Sequence, residues 1–199
     1  MDTDQRIKAI LIGDSKVGKT AIVTKITMDI FLEEELITDI GFDFKVKEVD
    51  FDDIQYKIYF WDIKQIQSRL LQSYLKNAII IMMVYDVGNR NSFNSLSHYY
   101  DIIKNSYKDL KEKVLFLIAA KNDREDKEVD DNEAIEYANK LDMNFICLSA
   151  KKGTSKEFNK YVLILVNEYT SSQRPLKKIV LKKEVKMNEN AINTKGLCK

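Results

Sequence analysis

Hydrophobic and polar positions follow two rhythms along this chain. Ile7–Ile12 is a short apolar run closed by Gly13, and a helical stretch opens at Lys19. Phe42, Phe44 and Val46 then alternate with Asp43, Lys45 and Lys47, the period of a strand with one wet face. Asp52-Asp53 reads as a turn into a second alternating strand that puts Tyr56, Ile58 and Phe60 on one side. Two unbroken apolar runs follow, Ala78–Tyr85 and Val114–Ala120, and such runs suit strands covered on both faces of a parallel sheet. Helical patterns occupy Asn91–Tyr107, Asp131–Leu141 and Ser155–Tyr169, and the shorter run Phe145–Leu148 supplies a last strand. The alternation predicts an α/β fold: a doubly wound, mostly parallel six-stranded sheet with one antiparallel hairpin strand, whose ligands sit at the C-terminal strand ends.

Composition narrows the class. The chain has 199 residues, enough for one domain with a substantial core, and is 45% hydrophobic and 32% charged, as soluble globular proteins are. Its net charge of +1 hides an asymmetry. From Ser171 onward eight Lys/Arg face two acids, so this tail carries +6 and leaves the preceding residues at −5. A mildly acidic body argues against nucleic-acid binding. The only proline, Pro175, falls where the last helix should stop, and the polar, basic stretch beyond it is expected to be disordered. Met1–Arg6 is polar and does not read as a signal peptide, and Ala78–Tyr85 is too short to span a bilayer.

The strongest chemical signal is Gly13-Asp14-Ser15-Lys16-Val17-Gly18-Lys19-Thr20, which fits G-x-x-x-x-G-K-[ST] between a predicted strand and a predicted helix. Successive backbone N–H groups of such a loop ring phosphate oxygens, and the helix start at Thr20-Ala21 adds its positive dipole end. Lys19 supplies a point charge for the outer phosphates, and the Thr20 hydroxyl can coordinate Mg²⁺. Lys16, an exposed type of side chain in this loop, is read as pointing into water. His98 sits on a polar helix and is read as solvated, and Cys147 in its apolar strand as a core residue.

Several further segments resemble the Rab branch of the Ras superfamily of small GTPases. Ile40-Gly41-Phe42-Asp43-Phe44-Lys45 is similar to the stretch after the first switch of that family. Met83-Val84-Tyr85-Asp86-Val87 with Ser92-Phe93 resembles the pattern after its fourth strand, and Ser149-Ala150-Lys151 its last guanine-contacting loop. The resemblance implies a Rab-like G domain over residues 6–170, followed by a basic tail over 171–199. It implies GTP and GDP as ligands with Mg²⁺, effector and exchange proteins as partners, and a cytoplasmic protein on the cytosolic face of endomembranes, regulating vesicle trafficking.

Carried over residue by residue, the resemblance assigns the base site. The family reads guanine with Asn-Lys-x-Asp; this chain has Ala120-Lys121-Asn122-Asp123. Asp123 would accept from the ring N–H and exocyclic amine of guanine together, and the stem of Lys121 would lie over the base. Ala120 lacks the amide that ties this loop to the phosphate loop, a loss of about 1–3 kcal/mol if its partners stay unpaired. Phe31 resembles the aromatic that covers the base edge. Asp62 matches the family acid that holds Mg²⁺ through a water.

Both switches depart from the family. Counting forward from Thr20 places the first-switch Mg²⁺ ligand at Thr38; counting back from Gly41 places Asp39 there, and a carboxylate also suits Mg²⁺. Forward counting, uninterrupted from the phosphate loop, favours Thr38. The run Glu33-Glu34-Glu35 reads as a solvated face. In the second switch the family reads Trp-Asp-Thr-Ala-Gly-Gln-Glu, and this chain reads Trp61-Asp62-Ile63-Lys64-Gln65-Ile66-Gln67. The phosphate-sensing glycine and the water-orienting glutamine are missing, which leaves Gln65 and Gln67 as weak substitutes and implies slow GTP hydrolysis. A pseudo-GTPase, serving as a nucleotide-locked or nucleotide-independent scaffold, is the alternative. The chain ends Gly196-Leu197-Cys198-Lys199, with one cysteine where Rab proteins carry geranylgeranyl groups; Cys198 with the basic stretch Lys177–Lys186 would form a two-signal membrane anchor.

Overall fold

The computed structural model describes residues 5–32, 42–64 and 68–173. Six strands form one sheet: β1 (Gln5–Ile12), β2 (Phe42–Phe51), β3 (Ile54–Ile63), β4 (Ile80–Asp86), β5 (Val114–Ala120) and β6 (Asn144–Cys147), in the order β2-β3-β1-β4-β5-β6. Only β2 and β3 run antiparallel; every other neighbour is parallel. The expected α/β class and its single hairpin are thus what the chain adopts.

The hairpin closes at Asp52-Asp53, with Phe51 paired to Ile54 and both aspartates at positive φ, 51° and 60°. Two left-handed residues in a two-residue loop match the right-handed twist of the flanking strands, and aspartate tolerates this region better than most residues. Downstream of the turn Tyr56, Ile58 and Phe60 are buried together, as their alternation requires.

The unbroken apolar runs are buried along their whole length in β4 and β5. Alternate residues of each strand feed opposite layers. Ile80, Met82, Val84, Phe116 and Ile118 pack on one side with Ile22 and Ile26 of α1 (Lys19–Met28) and Phe158, Val162 and Leu165 of α6 (Ser155–Gln173). Ile81, Met83, Tyr85, Leu115 and Leu117 pack on the other with α2 (Ser68–Leu75), α3 (Arg90–Asn94), α4 (Leu96–Ser106) and α5 (Asp131–Lys140). Each large side chain so buried contributes about 1.5–3 kcal/mol, which makes the two layers the main source of stability.

The helices depart from expectation in three places. The stretch 91–107 reads as one helix but divides at Ser95, whose hydroxyl donates to Asn91 O at 3.0 Å while its N–H donates to the same carbonyl at 2.9 Å. Such side-chain bonding to the preceding turn bends helices. Helix α2 lies where no element is predicted; Leu71 and Leu75, four apart, are buried, but one such pair is too short a period to read in isolation. Helix α6 continues to Gln173 rather than ending at Tyr169.

The loop after β1 leads to α1 on one face, and the loop after its neighbour β3 leads towards α2 on the other. Adjacent loops departing to opposite faces open a crevice at the C-terminal strand ends. That crevice holds the site.

Candidate functional site

The phosphate loop is built as its sequence requires. Gly13 has φ 153°, and a Cβ there would lie 2.1 Å from the Val84 carbonyl oxygen, so no side chain fits where β1 passes β4. Gly18, φ 105°, precedes α1, and no side chain caps that helix N-terminus. Val17 is buried, anchoring the loop from within, while Ser15 and Lys16 are exposed, Lys16 in the left-handed region at φ 64°. Lys16 therefore faces solvent, as its reading anticipates. Lys19, only 5% exposed, crosses the loop so that its ammonium donates to Gly13 O at 2.8 Å and Asp14 O at 2.7 Å. An uncapped helix start with a buried ammonium beside it is an anion site.

Across the crevice, the Thr20 hydroxyl donates to Asp62 Oδ2 at 2.5 Å. Asp62 is 2% exposed, and its Oδ1 is buried with no hydrogen-bond partner among the described residues. A buried carboxylate oxygen without a donor is costly unless a cation serves it. Hard oxygen donors from a hydroxyl and a carboxylate suit Mg²⁺, so these two residues fit the metal their sequence positions imply.

The second half of the site comes from the ends of β5 and β6. The Asn122 N–H donates to Leu148 O at 3.1 Å and the Leu148 N–H to Ala119 O at 2.9 Å, which holds the two loops side by side. Between them and α1 lies a cavity of about 240 Å³ lined by Gly18, Ala21, Phe31, Ala120, Lys121, Asp123, Ala150 and Lys151, with Ile22 and Arg124. Phe31, Lys121, Asp123, Ala150 and Lys151, distant in sequence, thus line one cavity. Ser149 stands just outside it, shaping the turn through Lys152 N–H to Ser149 Oγ at 2.9 Å and Gly153 N–H to Ser149 O at 2.8 Å.

Lys121 is in the left-handed region, φ 58°, and its ammonium reaches Lys16 O at 2.8 Å and Asp86 Oδ2 at 2.8 Å. The base loop and the phosphate loop are therefore tied directly, although Ala120 offers no amide. Asp86, 5% exposed, also accepts from Gly88 N–H at 2.9 Å and lies 3.4 Å from the Arg124 guanidinium. A buried carboxylate with two cations and a backbone donor is fully paired.

Two participants carry no motif. Arg124 was legible only as the neighbour of Asp123; it lines the cavity and is held by Asp126 at 2.9 and 2.6 Å. Tyr99, on α4, donates to Asp14 Oδ1 at 2.9 Å across 85 residues of sequence, and nothing local announces it. His98 next to it is exposed, and Cys147 is buried at the end of β6. Thr38, Asp39, Gln65, Gln67 and Cys198 lie outside the described residues, as does the tail from 174.

Among the described residues no helix is long and apolar enough to cross a membrane. The family model described as "Ras family" matches residues 8–169. Ras-related protein Rab-18-B of Danio rerio is 36% identical to this chain over 156 residues, covering 76% of the chain and 75% of that protein. Ras-related protein Rab-18 of Lymnaea stagnalis is 35% identical over 148 residues, covering 73% and 72%. Ras-related protein SEC4 of Saccharomyces cerevisiae is 33% identical over 151 residues, covering 74% and 68%. With that match, these relatives and the strand order, the chain belongs to the Ras family and is a Rab-like small GTPase of the Ras superfamily.

Proposed function

We propose that this protein is a Rab-type switch that binds GTP and GDP with Mg²⁺, hydrolyses GTP slowly, and regulates vesicle trafficking through effectors. The convergence of Lys19, Thr20 and Asp62 at one end of the crevice and Lys121 and Asp123 at the other carries this reading. The loop amides and Lys19 bind the phosphates; Asp123 selects guanine; Lys121 joins the two halves. Thr20 and Asp62 would hold the metal, with Thr38, or Asp39 in its place, completing the set. Mg²⁺, when bound, neutralises charge on the outer phosphates.

Slow hydrolysis is inferred from the second switch. Ile63 stands where the family has threonine, and it is the last residue of β3, paired with Phe42 and buried among Leu71 and Leu75. The strand therefore runs one apolar residue past Asp62 before the segment that lacks the phosphate-sensing glycine and the water-orienting glutamine. Phosphoryl transfer depends on positioning, so a water without its orienting group reacts slowly. Gln65 and Gln67 remain the candidates for a weak substitute.

Exchange proteins and effectors are the proposed partners. On the solvent side of the hairpin, Phe44, 52% exposed, stacks on Trp61 at 5.9 Å, and Trp61 meets Tyr74 of α2 at 6.2 Å. An aromatic row that joins β2, β3 and α2, exposed at Phe44 and half-buried at Trp61 and Tyr74, supports an effector-docking role. The G domain would span 6–170, and the tail 171–199, with a geranylgeranyl group on Cys198 and its lysines as the second signal, would place the protein peripherally on the cytosolic face of endomembranes.

Denaturing the purified chain should release guanine nucleotide identifiable by chromatography. After reloading with GTP, single-turnover phosphate release should be about tenfold or more slower than in an ordinary Rab. Release at the ordinary rate would remove the slow-hydrolysis reading. A scaffold that does not switch is favoured instead if Trp61 emission is identical with GDP and a non-hydrolysable GTP analogue, because Trp61 adjoins the second switch.

A further inference from the structure

Asp14 brings a negative charge to the rim of a loop built to attract anions. Its backbone and side chain are engaged on different elements. The carbonyl oxygen accepts from the Lys19 ammonium at 2.7 Å, inside the phosphate loop. The carboxylate oxygen Oδ1 accepts from the Tyr99 hydroxyl at 2.9 Å, on α4.

Tyr99 is well placed to hold that carboxylate. Helix α4 is anchored by buried Leu96 and Ile103 and packs against α2, so the ring is presented from a fixed support. Burial, followed by the hydrogen bond and charge of Asp14, raises the phenol above its ordinary pKa, so the hydroxyl keeps its proton and stays a donor.

We propose that Tyr99 is a positioning residue for nucleotide binding, which holds the Asp14 carboxylate against α4 and away from the phosphate-binding amides. This rests on the guanine-nucleotide reading above and assigns a role that the loop motif does not. Without the hydroxyl, the carboxylate loses its donor and regains its rotamers. A carboxylate free to turn towards the loop amides would meet the charge of a bound phosphate, and like charges in a partly buried site repel strongly. A carboxylate next to a phosphate site is tolerable while another element holds it aside.

The test is a double-mutant cycle on the full chain loaded with a fluorescent GDP. Tyr99→Phe keeps the ring and deletes only the hydroxyl; it should speed GDP release about tenfold, the scale of a hydrogen bond to a charged group. The acceleration should shrink as salt is raised, because it is a charge effect. In an Asp14→Asn background the same substitution should change release by less than about twofold, since no charge remains to hold. Equal acceleration in both backgrounds, or none in the parent, overturns the proposal. Should Tyr99→Phe fail to fold, Tyr99→Leu serves in its place, with the same expectation in each background. A chain that retains no guanine nucleotide before any substitution defeats the underlying reading as well, whereas one that retains GDP and shows equal acceleration defeats only this assignment.

Discussion

The Lys121 ammonium donates to the Lys16 carbonyl oxygen at 2.8 Å, across 105 residues of sequence, and this bond fastens the base loop to the phosphate loop. It matters because the neighbouring position is Ala120, whose side chain has nothing to donate. A Cβ at Gly18 would lie 3.8 Å from both the Ala120 Cβ and the Lys121 Cε, so the two loops face each other closely without clashing. Lys121 also pairs with buried Asp86, which sets the direction of its stem.

From that geometry, Lys121→Met should weaken nucleotide retention more than its loss of one surface charge suggests. Two hydrogen-bonded partners lose their donor, and Asp86 keeps only Arg124 and Gly88 N–H. GDP release, followed by displacement of a fluorescent analogue, should be at least about tenfold faster. Ala120→Asn should act in the opposite sense and slow release about threefold, by adding a second tie between the loops.

Asp62 makes a separate prediction. Its Oδ2 is bound to Thr20, and its buried Oδ1 has no partner among the described residues. If Mg²⁺ is the intended partner, chelation by EDTA should speed GDP release from the parent chain at least about tenfold. Asp62→Ala should release GDP fast from the start, and EDTA should then add little. Its melting temperature without nucleotide should change modestly, because only the Thr20 hydroxyl loses an acceptor, a cost of about 1 kcal/mol.

Gly13→Ala tests the scaffold rather than the chemistry. An added methyl would meet the Val84 carbonyl oxygen at 2.1 Å at a backbone φ of 153°, so β1 and β4 would have to separate. Destabilisation of about 3 kcal/mol or more is expected, seen as a shifted urea midpoint in the nucleotide-free protein. An unchanged midpoint would mean that the close approach of β1 to β4 is relaxed in solution.

Local pattern alone determined most of the architecture. All six strands begin or end within a few residues of an apolar or alternating run, because burial on one face or two is written into neighbouring side chains. The phosphate loop was equally legible: its anion-binding groups are consecutive backbone amides, so a linear motif contains the whole device. Asp123, Phe31 and Lys151 were assigned through family resemblance, and the fold brought them to one cavity wall. What neighbours in sequence could not decide was the set of side-chain pairs that join distant segments: Thr20 to Asp62 over 42 residues, Asp14 to Tyr99 over 85, Lys16 to Lys121 over 105. Those partners depend on which strands lie side by side and which face each helix covers. Hydrophobic period specifies that a segment is buried, and only the assembled sheet specifies which polar group it is buried against.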